Sequence, residues 1–269
     1  KYALSISKPN YMSNQYPQLN NPPNPPYFKE GVIAFACLFI LSFILYTSPF
    51  ILTAEASAPT AGLVGYWNFD EGSGAVANDT SGNGNNGTIN GATFVAGKVG
   101  NGALGFDGVD DNINLGNIAA LDGSAYATWS FWARPSALVN GQIFFSKHTN
   151  YSSTQQVWRI QSTADGGGDE VYFFIGSGNN GRRTNGNALT VGQWVHVVGV
   201  YDGTQATAAN RINIYINGSL VTNVATVGTI PASIPSATVN TRIGSGSGGN
   251  GGITASNFYS GIIDDVRIY

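Results

Sequence analysis

Beyond residue 59 the chain places apolar and polar side chains alternately, in short runs closed by Gly, Asn, Asp or Ser. Such runs fall at 64–69, 103–106, 112–115, 128–134, 142–146, 157–161, 171–175, 194–201, 212–216, 220–224, 241–243 and 262–269. A period of two puts one side of a strand against a core and the other toward water, and the runs are rich in the β-branched and aromatic residues that suit such a surface. No stretch of ten or more residues carries a helical period, so 59–269 is predicted to be an all-β, antiparallel, two-sheet sandwich. The sharpest local signal is INIYINGSLV, in which Asn217-Gly218 supplies the two positive-φ positions of a type I′ hairpin turn.

The pattern upstream is different. Residues 31–54 form an uncharged apolar run long enough to cross a hydrocarbon core as a helix. Two readings stay open. Ala54-Glu55-Ala56 and Ala56-Ser57-Ala58 both resemble small-x-small cleavage sites of a signal peptide. An uncleaved transmembrane anchor would have its amino end in the cytoplasm, because Lys1, Lys8 and Lys29 precede the run and no basic residue follows it until Lys98. Either way the sandwich is expected to be exported, to the cell surface or beyond it. Residues 1–30, rich in Pro and Asn, read as a disordered tail. The only Met is Met12, and the last strand runs to Tyr269, so the chain is expected to be part of a longer protein.

Composition narrows the partners. Charged residues make up 10% of the chain, too few for a coiled coil or a charged disordered segment. The net charge of −3, with basic residues scattered except at Arg182-Arg183, offers no stripe for phosphates and excludes nucleic acid. Cys37, the only cysteine, lies in the apolar run, so no disulfide staples the sandwich.

Seven segments occur in order: GLVGYWNFDEGSG, DTSGNGNNGT, GALGFDGVDDNINLG, WVHVVGVYDG, INIYINGSLV, TRIGSG and FYSGIIDDVRIY. Together they make 63–269 resemble the LamG-like jellyroll domains of the concanavalin A-like lectin/glucanase superfamily. The resemblance implies a jelly roll of two antiparallel sheets, an accessory module of secreted and surface proteins, often calcium-binding and sometimes glycan-binding. It also implies that the Asp of the DxSGNGxxG segment and the Asp of the closing IDxVRIY segment, here Asp79 and Asp264, serve a calcium site.

The residues themselves leave that chemistry open. In a regular strand Ile262, Asp264, Val266 and Ile268 share one face, which sets a carboxylate among apolar neighbours. Such a group needs backbone N–H donors or a cation. Asp79, Ser81 and Asn83 bring further hard oxygens in a Gly-rich turn, or equally the side chains of Asx turns. The missing Glu and flanking helices rule out an EF-hand. The candidate metal set is therefore Asp79, Asn83 and Asp264, with Ca²⁺ as the ion, whereas Asp107, Asp110 and Asp111 read as a solvated turn.

A glycan-binding surface is expected at Arg159, Gln161 and Tyr172, which strand parity lets one face of each strand present to solvent, or at loops carrying Tyr151 and Arg182. Hydrolysis needs two suitably spaced carboxylates. The exported part has only Glu71 and Glu170 as glutamates, and Asp169-Glu170 alternate across a strand. His196 reads as a core residue and His148 as part of a polar loop, with no nucleophile elbow. The Gly-x-Gly-x-x-Gly matches open no βαβ unit. The expected function is thus non-enzymatic: a carbohydrate-binding or adhesion module of a larger surface or secreted protein, stabilised by calcium. Its partner would be a polysaccharide or surface glycan, or a protein, with membrane contact only through the N-terminal segment. A glycoside hydrolase domain and a structural spacer are the alternatives.

Overall fold

The computed structural model describes residues 58–148, 156–163, 169–246 and 258–269. The tail at 1–30, the apolar run at 31–54 and Tyr151 lie outside them. Among the described residues no helix is long and apolar enough to cross a membrane. Contacts divide the chain into units at 1–57 and 58–269.

The second unit is a sandwich of two antiparallel sheets. Its strands are β1 (Gly65–Trp67), β2 (Val76–Ala77), β3 (Gly87–Asn90), β4 (Thr93–Val95), β5 (Ala103–Asp107), β6 (Asn112–Asn114), β7 (Tyr126–Pro135), β8 (Ile143–His148), β9 (Gln156–Thr163), β10 (Glu170–Ile175), β11 (Gly181–Thr184), β12 (Val195–Asp202), β13 (Ile212–Ile216), β14 (Ser219–Leu220), β15 (Val224–Val227), β16 (Thr241–Ile243) and β17 (Ser260–Ile268). An eight-stranded sheet runs β14-β13-β12-β7-β17-β5-β4, with β1 also paired to β17. A nine-stranded sheet runs β15-β11-β10-β9-β8-β16-β6-β3-β2. The repeated jumps in strand number show that long connections pass between the sheets, so most contacts are remote in sequence. The Asn217-Gly218 turn joins β13 and β14 as predicted, with both residues at positive φ.

Aromatic side chains from the two sheets meet in the middle. Trp129 of β7 packs on Trp158 of β9 with centroids 5.2 Å apart, and Trp67 of β1 meets Phe145 of β8 edge-on at 6.1 Å. Period-two burial is clearest in β12, where Val195, Val197, Gly199 and Tyr201 face inward. His196 lies on the opposite, partly exposed face, so its expected core position is corrected; the parity that Trp194 shares with His196 is the outer one.

β17 departs from simple alternation. Its pairing with β7 shifts register between Asp264 and Arg267, a β-bulge in which Asp265 takes φ 52°. The extra residue reverses parity, so Ile263 joins Val266 and Ile268 in the core and Ile262 stays partly exposed. The single apolar face predicted for Ile262, Asp264, Val266 and Ile268 does not form. The bulge falls where β17 changes neighbours, pairing with β5 before it and β1 after it. The segment 97–99 reaches Asp264 at this switch.

Candidate functional site

β9 and β10 pair with Gln161 opposite Tyr172 and Arg159 opposite Phe174. Trp158, Ile160, Val171 and Phe173 fill the core, so the alternate residues point away from the eight-stranded sheet. There Arg159, Gln161, Thr163, Tyr172, Phe174, Asn179, Arg183 and Val227 line a cleft of about 260 Å³. Three of the predicted glycan contacts, Arg159, Gln161 and Tyr172, are thereby brought into one place.

The cleft is a built polar site. Arg159 is 2% exposed, and its guanidinium carbon lies 3.5 Å from the centroid of the Phe174 ring. On its own ring Phe174 stacks Tyr172 at 3.6 Å and 23°. This pile fixes the guanidinium plane, which donates from Nε to Gln161 Oε1 at 2.9 Å and from Nη2 to Asn179 Oδ1 at 3.4 Å. The Tyr172 hydroxyl donates to the Asn179 carbonyl at 2.7 Å. Arg183 enters from β11 and bonds Glu170 Oε2 at 3.0 Å. Strand parity alone locates Arg183 here: it pairs with Tyr172, whereas Arg182 pairs with Phe173. Arg182 therefore leaves the cleft and donates to the Ile212 carbonyl at 2.7 Å. Burial lowers its pKa. Phe174, Thr163 and Val227 also line the cleft, beyond the residues expected from the sequence; Val227 arrives from β15, a strand of only four residues.

Asp79 and Asn83 share the turn between β2 and β3, whereas Asp264 lies within β17. Asp79 accepts from the backbone N–H of Tyr66 at 3.0 Å, Ser81 at 2.9 Å and Asn85 at 2.8 Å. These bonds, though not the desolvation that opposes them, explain why its pKa falls. Asn83 donates to the carbonyls of Leu63 and Val64. Asp264 is fully buried; its Oδ2 accepts from the N–H groups of Lys98 at 2.6 Å and Val99 at 2.9 Å. Its Oδ1 is buried with no hydrogen-bond partner. Desolvation pushes its pKa up to about 6. No hydrogen bond joins Asp264 to Asp79 or Asn83 among the described residues.

The oxygens of Asp107, Asp110 and Asp111 lie within 4.8 Å of one another. Asp107 Oδ1 accepts from Val109 N–H at 2.7 Å, and Asp111 Oδ2 from Asp107 N–H at 2.8 Å, which makes the segment a side-chain-closed turn. His148 does not sit in a polar loop: it ends β8, 1% exposed, and desolvation followed by the nearby Arg159 lowers its pKa to about 3.

A family model described as the concanavalin A-like lectin/glucanases superfamily matches residues 107–269, and the chain belongs to that superfamily. No curated relative matches the sequence. Among solved structures, domain 4 of AbnA, a GH43 extracellular arabinanase from Geobacillus stearothermophilus in complex with arabinotriose, is 21% identical with a TM-score of 0.53, covering 77% of this chain and 91% of that one. A Trypanosoma rangeli sialidase with 2,3-difluorosialic acid is 16% identical at a TM-score of 0.54, covering 89% of this chain and 37% of that one. The binding domain of Paraclostridial Mosquitocidal Protein 1 is 15% identical at 0.52, covering 78% and 49%. The chain thus spans most of the arabinanase domain but half or less of the other two, and the likeness is one of fold.

Proposed function

We propose that the unit 58–269 is a carbohydrate-binding module and that the cleft on the outer face of the nine-stranded sheet is its glycan site. The convergence of Arg159, Gln161, Tyr172, Asn179 and Arg183 carries this reading. Planar guanidinium and amide groups match the paired hydroxyls of a sugar, and a site of fixed polar groups pays little to order itself on binding. Binding is favoured over hydrolysis because no carboxylate lines the cleft among the described residues, and neighbouring Glu170 is held by Arg183 and by the Gly186 N–H. The arabinotriose complex of the similarly folded arabinanase domain makes neutral oligosaccharides the first ligands to try. Export on the apolar run at 31–54, as part of a larger surface or secreted protein, belongs to the same proposal. So does a calcium ion held through Asp264, whose unpartnered buried oxygen fits a hard cation, read out as a rise in melting temperature on adding calcium.

Titration calorimetry of the full chain against arabinotriose and a panel of neutral oligosaccharides tests the site. Arg183→Ala is expected to weaken binding about tenfold, the loss of one charge-assisted hydrogen bond. Arg182→Ala, one residue away but bonded to Ile212, leaves affinity unchanged. Equal losses in both variants, or no binding across the panel at millimolar sugar, would sink the proposal.

A further inference from the structure

The outer face of the eight-stranded sheet carries a second constellation, on the side of the sandwich opposite the cleft. β7 and β12 pair with Trp132 opposite His196, and the next outward positions are Arg134 on β7 and Trp194 just before β12. The result is a checkerboard of two indoles, an imidazole and a guanidinium on two neighbouring strands, all partly exposed. The rings of Trp132 and His196 lie 4.9 Å apart at 30°, and His196 Nε2 is 2.9 Å from Ser130 Oγ. Arg134 sits 5.6 Å from the Trp194 ring, and Lys98, exposed on its loop, reaches within 5.2 Å of the Trp132 ring.

Charge gives the ligand class. The chain is net negative, yet this face presents Lys98 and Arg134, with Arg267 alongside over Tyr66 at 4.4 Å. The carboxylates beneath it are turned to other partners. Asp265, 3% exposed, takes the Tyr66 hydroxyl at 2.7 Å and Arg267 at 2.9 Å, and Asp264 is closed over by the Lys98–Val99 backbone. Arg267 is thus paired with Asp265, whereas no salt bridge holds Lys98 or Arg134 among the described residues. Cations over aromatic rings hold an anion beside a flat apolar platform.

We propose that this face is a second ligand surface, which takes an acidic polysaccharide of the uronic acid type: pyranose faces lie on Trp132 and Trp194 while carboxylates meet Lys98 and Arg134. Outward positions repeating about every 6.6 Å along each strand suit an extended polymer lying across the sheet. An acidic peptide would instead seek a groove or a free sheet edge, and an anionic membrane would need protruding aliphatic side chains.

Retention of the full chain on immobilised polygalacturonate, compared with the same polymer fully methyl-esterified, tests this directly. The acidic polymer is expected to hold the chain and the ester to release it, with affinity falling as salt rises. The double variant Lys98→Ala, Arg134→Ala should lower affinity about tenfold while melting temperature and neutral-oligosaccharide binding at the cleft stay unchanged. Equal retention on the ester overturns the proposal, as does a double variant that binds like wild type. So does retention on anionic phosphatidylserine vesicles but not on polygalacturonate. Because the two faces are read with separate ligands and separate variants, failure at the cleft leaves this result standing on its own.

Discussion

Asp264 spends one oxygen on two backbone N–H groups and leaves the other buried without a partner. Two N–H dipoles cannot offset the desolvation of a full charge, so the group either holds a proton or recruits a cation. Calcium present at a hundred times its dissociation constant would add about 2.7 kcal/mol, which in a domain of this size moves the melting temperature by roughly 5–10 °C. That rise is expected in wild type and not in Asp264→Asn, which keeps the shape but removes the charge. No rise with calcium in wild type would leave Asp264 without a cation, a buried carboxyl that keeps its proton only below about pH 6. The need for compensation was legible in the sequence, since a carboxylate was foreseen among apolar neighbours. Its partners were not, because the loop at 97–99 has no pattern of its own and is brought there by the fold. Arg182 and Arg183 teach the same lesson at one residue's spacing. Both stood in a Gly- and Asn-rich segment read as a loop, and only the pairing of β11 with β10 decides which one enters the cleft.

Elements with strong alternation were readable, and those defined by their neighbours were not. Every predicted run but one falls on a single strand, because Val, Ile, Trp and Tyr at period two declare both conformation and buried face; the run at 220–224 instead bridges the end of β14 and the start of β15. β2, β3, β4, β11 and β15 escaped: they are two to four residues long and owe their conformation to the strands beside them. The bulge in β17 was equally hidden, for nothing in IIDDVRIY marks where pairing slips. Between elements, the tightest constraint lies at Gly199 of β12. A Cβ there would enter the space of the Phe173 ring from β10, so the two sheets approach at this point only because the residue is glycine. Gly199→Ala is expected to destabilise the domain by about 1–3 kcal/mol, the cost of overpacking a full core. Chemical denaturation of Gly199→Ala and of Gly199→Ala combined with Phe173→Leu checks this. Recovery of much of the loss in the double variant is expected; a single variant as stable as wild type would show that the sheets can part freely.

Over the whole molecule, acid stability is set by opposing buried groups. His148 has a folded pKa of about 3, below its ordinary 6.5, so its contribution is complete above pH 6.5 and is lost as pH falls toward 3. Asp264 runs the other way: with a folded pKa of about 6 against an ordinary 3.8, its contribution is present below 3.8 and is lost as pH rises through 6. Desolvation also lowers His196 and raises Asp111, so each sign has a second, weaker contributor. Between pH 4 and 6 the unfolded chain has His148 protonated and Asp264 ionised, while the folded chain has the reverse. Each group then imposes a slope of at most about 1.4 kcal/mol per pH unit, and the two slopes cancel. In EDTA, which removes any calcium from Asp264, wild-type stability is expected to change little across that window. His148→Gln should leave the Asp264 slope, so that stability climbs as pH drops from 6 to 4, and Asp264→Asn should leave the His148 slope, so that it falls. Urea denaturation at half-unit pH steps reads the slopes separately from any loss of packing, which shifts a curve without tilting it. Parallel profiles in all three proteins would mean that neither buried group changes protonation on unfolding, and that water reaches both sites in the folded domain.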